Sequence, residues 1–177
     1  MLLEGQHIAF LVGPGFEDLE FWAVYMRLIE EGARVTTVGV KAGERHASKS
    51  GGLFATADVA ASAVSPDQFD AIVVPGGWAP DKIRRYEAIT GLVKGICDQG
   101  KIVGMICHAG LVGISARIVA GSRATGSLGI KDDLVNAGAK WEDKEVVVDD
   151  NLVTSRTPAD LPAFMKATIK QLQLVKV

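Results

Sequence analysis

Three stretches of this chain are apolar almost without interruption, and each stops at a residue suited to a sharp turn. Residues 7–13 carry IAFLV before Gly-Pro-Gly, residues 70–74 carry AIVV before Pro-Gly-Gly, and residues 101–106 read KIVGMI before Cys107. A short continuous apolar run is the pattern of a strand buried on both faces, which requires a mostly parallel sheet with helices on each side. Between these runs the periodicity becomes helical. Over residues 17–31 apolar positions recur at Leu19, Trp22, Ala23, Met26 and Ile29, with acidic residues in the first turn and Gly32 at the end. Residues 88–99, 107–116, 131–137 and 158–174 also read as helices. Residues 34–40 read as a strand, and residues 145–155 as a hairpin with a polar turn at 149–151. Residues 42–64, rich in Gly, Ser and Ala, read as short strands and turns. Alternating strands and helices over residues 1–177 predict one α/β domain.

Composition narrows the function classes. Nineteen Lys and Arg face 21 Asp and Glu, so there is no basic footprint for nucleic acid. Glu4, Gln6 and His7 interrupt any apolar signal segment, and no apolar run is long enough to span a bilayer. These features predict a cytoplasmic protein without a membrane partner. Two cysteines form no disulfide framework, and neither pairs with a histidine at metal-ligand spacing, so no metal or cofactor is expected.

In open parallel sheets, function gathers where strands end and helices begin. Cys107 stands at such a junction, where the field of a helix N-terminus lowers a thiol pKa and a tight elbow exposes a nucleophile. A small buried core residue is the competing reading for Cys107, and core packing is the expected role of Cys97. Glu17 lies just beyond another strand end, either as a solvated first-turn residue or as a proton-sharing partner of the thiol. His108 follows the cysteine and is a candidate acid or base. Gly76 and Gly77 serve either as a tight turn or as backbone donors to an oxyanion.

Taken together, these segments resemble the PfpI family of intracellular cysteine proteases, in the superfamily of the Parkinsonism-associated deglycase. The matching pieces are G-F-E-D-L-E at 15–20, V-P-G-G at 74–77, I-C-H at 106–108, I-K-D-D-L-V-N-A-G-A at 130–139 and E-V-V-V-D-D-N-L-V-T-S-R at 145–156. The resemblance implies a flavodoxin-like three-layer sandwich that assembles as a homo-oligomer, a dimer or a hexamer. It makes Cys107 the nucleophile, Glu17 the carboxyl group bonded to it, and His108 the catalytic histidine. It also puts Asp81 where a neighbouring subunit would offer an acid to that histidine. The chain departs from the family pattern at Ala109 for a usual Gly, at Leu128 within Ser-Leu-Gly for Ser-Tyr-Pro, and at Trp78 for a common Arg. These departures imply a more apolar pocket.

Two substrate classes follow from the resemblance. One is small reactive carbonyls, in a glutathione-independent glyoxalase or deglycase reaction; the other is peptides or amides. A hemithioacetal needs little room, and the absence of a long insertion favours the small substrate. A non-catalytic redox sensor or chaperone using an oxidisable Cys107 is the reading of another class. A glutamine amidotransferase is excluded, because no histidine follows His108.

Overall fold

The computed structural model describes residues 1–175. In chain order the elements are β1 (His7–Leu11), α1 (Asp18–Glu30), β2 (Arg34–Gly39), β3 (Arg45–Ala47), β4 (Phe54–Thr56), β5 (Val59–Ala60), β6 (Ala71–Val74) and α2 (Ala79–Ile83). They continue with α3 (Glu87–Asp98), β7 (Ile102–Ile106), α4 (Gly110–Ser115), β8 (Arg123–Ala124), α5 (Lys131–Asn136), β9 (Lys140–Trp141), β10 (Val146–Asp149), β11 (Leu152–Ser155) and α6 (Leu161–Leu174).

Seven strands form the central sheet in the order β10-β11-β7-β6-β1-β2-β5. All its pairings are parallel except the β10–β11 hairpin at one edge. Both faces are covered, and the strand alternation sorts the side chains between them. Ala9, Leu11, Ile72, Val74, Val103 and Met105 point to one face, where Ile89, Val93 and Ile96 of α3, Val112 of α4 and Leu134 of α5 meet them. Ile8, Phe10, Ala71, Val73, Ile102 and Ile106 point to the other, against Phe21, Val24 and Leu28 of α1 and Phe164, Ile169 and Leu172 of α6. The α/β sandwich expected from the sequence is therefore observed, and with it the reason the strands read as unbroken apolar runs.

The structure corrects several details. The buried stripe of α1 is Glu20, Phe21, Val24 and Leu28. Leu19, Met26 and Ile29, part of the expected apolar stripe, are exposed. Each fully buried Phe, Val or Leu contributes about 1.5–3 kcal/mol, so Phe21, Val24 and Leu28 set the helix rotation. That rotation turns Glu20 inward. Residues 107–109 form a 3-10 turn, and the α-helix begins only at Gly110. Helix α2 and the two-stranded β8–β9 sheet were not expected, being too short to carry a period.

Candidate active site

The carboxyl ends of β1, β6 and β7 are adjacent in the sheet, so the segments that follow them converge. After β1 the chain passes through Gly15 and Phe16 into α1, and Phe16 pairs antiparallel with Gly77 in an isolated bridge. The Glu17 N–H donates to the Gly76 carbonyl at 3.1 Å, and the Trp78 N–H to the Gly15 carbonyl at 2.8 Å. These bonds join the first and second loops beside the third, which carries Cys107.

Cys107 has φ 61°, in the left-handed region that non-glycine residues rarely occupy. The strained turn lifts its side chain off the end of β7 toward α1, where the residue packs at the margin of the α1–α6 core. His108 follows in the same turn, and its Nδ1 lies 3.2 Å from the Cys107 sulfur. The backbone N–H groups of His108 and Gly77 both reach the sulfur and favour its thiolate. Gly76 and Gly77, expected as donors to an oxyanion, instead direct their N–H groups to Glu20 and to the sulfur.

The carboxyl group at the thiol belongs to Glu20, which corrects the assignment of Glu17. Glu17 is the N-cap of α1, and its Oε2 accepts from the Glu20 N–H at 2.7 Å. Glu20 Oε2 accepts from the Gly76 N–H at 2.7 Å, and the carboxyl group interacts with the Cys107 thiol. Glu20 Oε1 is buried without a hydrogen-bond partner of good geometry. Burial, and next the Glu17 carboxylate, push the Glu20 carboxyl up to about 8. Glu20 therefore stays mostly protonated at neutral pH.

Burial also pushes the Cys107 thiol up, to about 12, with the Glu20 carboxylate as the next cause. These influences act in the opposite direction to the helix N-terminus expected from the sequence. Helix α4 starts three residues late, whereas burial and a facing carboxyl group act directly on the sulfur. Glu20 and Cys107 titrate as a coupled pair. When Glu20 carries the proton it no longer repels the thiolate and can donate to it. Burial, followed by the charge of Lys49, lowers the His108 pKa, so its ring is neutral at pH 7.

The remaining candidates are scattered around this centre. An ideal Cβ on Gly76 would stand 2.8 Å from the Cys107 Cβ and would overlap Glu20 Oε2, so this position has to be glycine. Gly77 has φ 84°, and a Cβ there would collide with the backbone of Gly15 and Phe16. Ala109 is fully buried under the turn. Trp78 and Leu128 are exposed at 55% and 72%. Asp81 lies on α2 and is paired with Arg85 at 2.7 Å, and His108 has no hydrogen bond to an acid among the described residues. Lys49, which sequence reasoning missed, projects over Trp78 from the loop between β3 and β4. No three His, Cys, Asp or Glu side chains among the described residues could hold a metal ion together. No helix of the described residues is long and apolar enough to cross a membrane.

The chain is similar to several known proteins. The chain is 42% identical over 166 residues to a deglycase of Pyrococcus abyssi, covering 94% of this chain and 99% of that protein. It is 39% identical over 166 residues to protein/nucleic acid deglycase 2 of Escherichia coli, covering 93% and 96% of the two chains. A two-domain protein of Anabaena variabilis with DJ-1/ThiJ/PfpI-like and ferritin-like domains superposes with a TM-score of 0.92 at 38% identity. That match covers 94% of this chain and 48% of the larger one. The family model described as DJ-1/PfpI matches residues 6–171, the span holding the three converging loops and the cysteine elbow, and the chain belongs to that family.

Proposed function

We propose that this protein is a cysteine-dependent enzyme acting on small reactive carbonyls, of the glyoxalase or deglycase type. The observation that carries this reading is the placement of one sulfur 3.2 Å from the His108 imidazole and against the buried Glu20 carboxyl group, beside two backbone N–H donors. The deglycase names of similar proteins support it.

With the proton of His108 on Nε2, Nδ1 accepts the thiol proton as the sulfur attacks the aldehyde carbon of a dicarbonyl. The C–S bond forms, the C=O π bond opens, and its oxygen becomes an alkoxide. A proton from Glu20 neutralises that oxygen. In methylglyoxal the hemithioacetal carbon then loses its hydrogen as a proton to base. Reprotonation at the neighbouring carbon gives a thioester. Water cleaves the thioester to lactate and restores the thiol. The sequence is an internal oxidation and reduction plus one water, so no outside redox partner is needed.

The test is lactate formation from methylglyoxal without glutathione, comparing wild type with Cys107→Ala. Turnover that disappears in the variant supports the reading. Absence of turnover by the wild type, or full turnover by the variant, would overturn it and return attention to a peptide substrate or a redox role.

We also propose a homo-oligomer in which Asp81 of one copy approaches His108 of another. Asp81 is exposed on α2, and within its own chain it is engaged by Arg85. Sedimentation that shows only monomer at micromolar protein would exclude this assembly.

A further inference from the structure

Lys49 stands beside the site, close enough for its charge to act on Glu20 and His108. Its Nζ lies 5.8 Å from the centroid of the Trp78 ring, within cation–π range. Its backbone N–H donates to the Phe16 carbonyl at 2.7 Å, in the segment that bridges Gly77. Both neighbours are tied to one carboxylate. Ser48 Oγ donates to Asp18 Oδ1 at 2.7 Å, the Ser50 N–H donates to Asp18 Oδ2 at 3.2 Å, and Ser50 Oγ also bonds Oδ1. Asp18 opens α1, the helix that carries Glu20. The exposed ammonium therefore sits on a backbone fixed to the site's own frame.

The other groups around the sulfur carry little charge at neutral pH. The Glu20 carboxyl is pushed up to about 8, the His108 pKa is lowered, and Trp78 and Ala109 are apolar. Glu17 and Asp18 are negative charges nearby; the Glu17 carboxylate is engaged in capping α1, and that of Asp18 is held by Ser48 and Ser50. The positive charge of Lys49 acts on both Glu20 and His108.

We infer that Lys49 is an anion-recognition point, selecting carbonyl substrates that bear a carboxylate or similar anionic group a few bonds from the reacting carbon. The inference rests on Cys107 being the group that meets the substrate. It gives Trp78 a second task, as the surface along which the lysine side chain is laid. A neutral dicarbonyl would react here without this contact.

The probe pair is iodoacetate and iodoacetamide, electrophiles of nearly equal size that differ in charge. Their alkylation rates at Cys107 are measured by peptide mapping in wild type, Lys49→Met, Lys49→Glu and Asp18→Asn. A change in thiol ionisation alters both rates together and cancels in their ratio. We expect the iodoacetate-to-iodoacetamide ratio to fall about three- to ten-fold in Lys49→Met at low salt, as for one charge pair near a protein surface. It should fall further in Lys49→Glu and rise in Asp18→Asn, where a neighbouring negative charge is lost, and the differences should shrink at about 0.5 M salt. A wild-type ratio retained by both Lys49 variants would overturn the inference. The readout needs no turnover, so loss of the methylglyoxal reading and loss of this one are distinguishable.

Discussion

Glu20 and Cys107 meet across a gap that is open only because residue 76 has no side chain. The Gly76 N–H holds one oxygen of the carboxyl group at 2.7 Å, and a Cβ in the same place would reach the cysteine Cβ at 2.8 Å. Gly76→Ala should therefore push acid and thiol apart. We expect a loss of about 1–3 kcal/mol in stability, as for an overpacked core, with a larger fractional loss of Cys107 alkylation. Denaturant unfolding and iodoacetamide kinetics on the same variant check both. Unchanged alkylation would show that the two groups do not depend on this gap.

Glu20 should also mark the pH dependence of folding. Its folded pKa, about 8, lies above the ordinary carboxyl value, so the folded state binds more protons than the unfolded state between about pH 4.5 and 8. Its contribution is fully present below that window and is lost as pH rises through it. Wild type should lose on the order of 3 kcal/mol relative to Glu20→Gln between pH 5 and pH 9. Urea melts of both proteins at the two pH values give the difference directly. A constant difference would contradict the buried, protonated acid.

His108 carries the opposite sign. Its pKa is lowered by burial and then by Lys49, so the basic form persists below the usual histidine midpoint of 6.5. The acidic limb of the kcat/KM profile should fall below pH 6.5, and His108→Ala should reduce turnover about 10²- to 10⁴-fold. Methylglyoxal assays from pH 5 to 9 test this. An acidic limb above 6.5 would assign the required base elsewhere.

The rotation of α1 can be checked by stability alone. Phe21→Ala removes a fully buried ring and should cost about 3–5 kcal/mol. Leu19→Ser, at an exposed position, should stay within about 0.5 kcal/mol of wild type. Equal costs would restore the stripe that simple hydrophobic spacing suggests.

That stripe shows where sequence reasoning worked and where it failed. The parallel sheet was legible because β1, β6 and β7 are apolar on both faces, and few other structures tolerate such runs. The cysteine elbow was legible because a strand ends abruptly at Cys107. Glu17 stands out in sequence because it lies just beyond a strand end, whereas Glu20 sits inside a helix whose buried stripe, Phe21, Val24 and Leu28, is offset from the spacing of Leu19, Met26 and Ile29. A buried carboxylic acid on an apolar stripe carries no signal in hydrophobic periodicity. The burial of the thiol was hidden for a related reason. A strand-to-helix junction can be read from sequence, but the depth at which the sulfur lies, and the acid facing it, cannot. Lys49 lay in a segment of Gly, Ser and Ala with no period, and only folding brings it over Trp78.

The serine ties to Asp18 have a mechanical consequence. They fasten the loop that selects what enters to the helix that supplies the proton. A tilt or slide of α1 would carry gate and acid together, preserving their spacing while changing their distance from the elbow. Substrate choice and acid strength should then drift as one trait when the helix is repacked. Separating them requires cutting the link at residue 18 first.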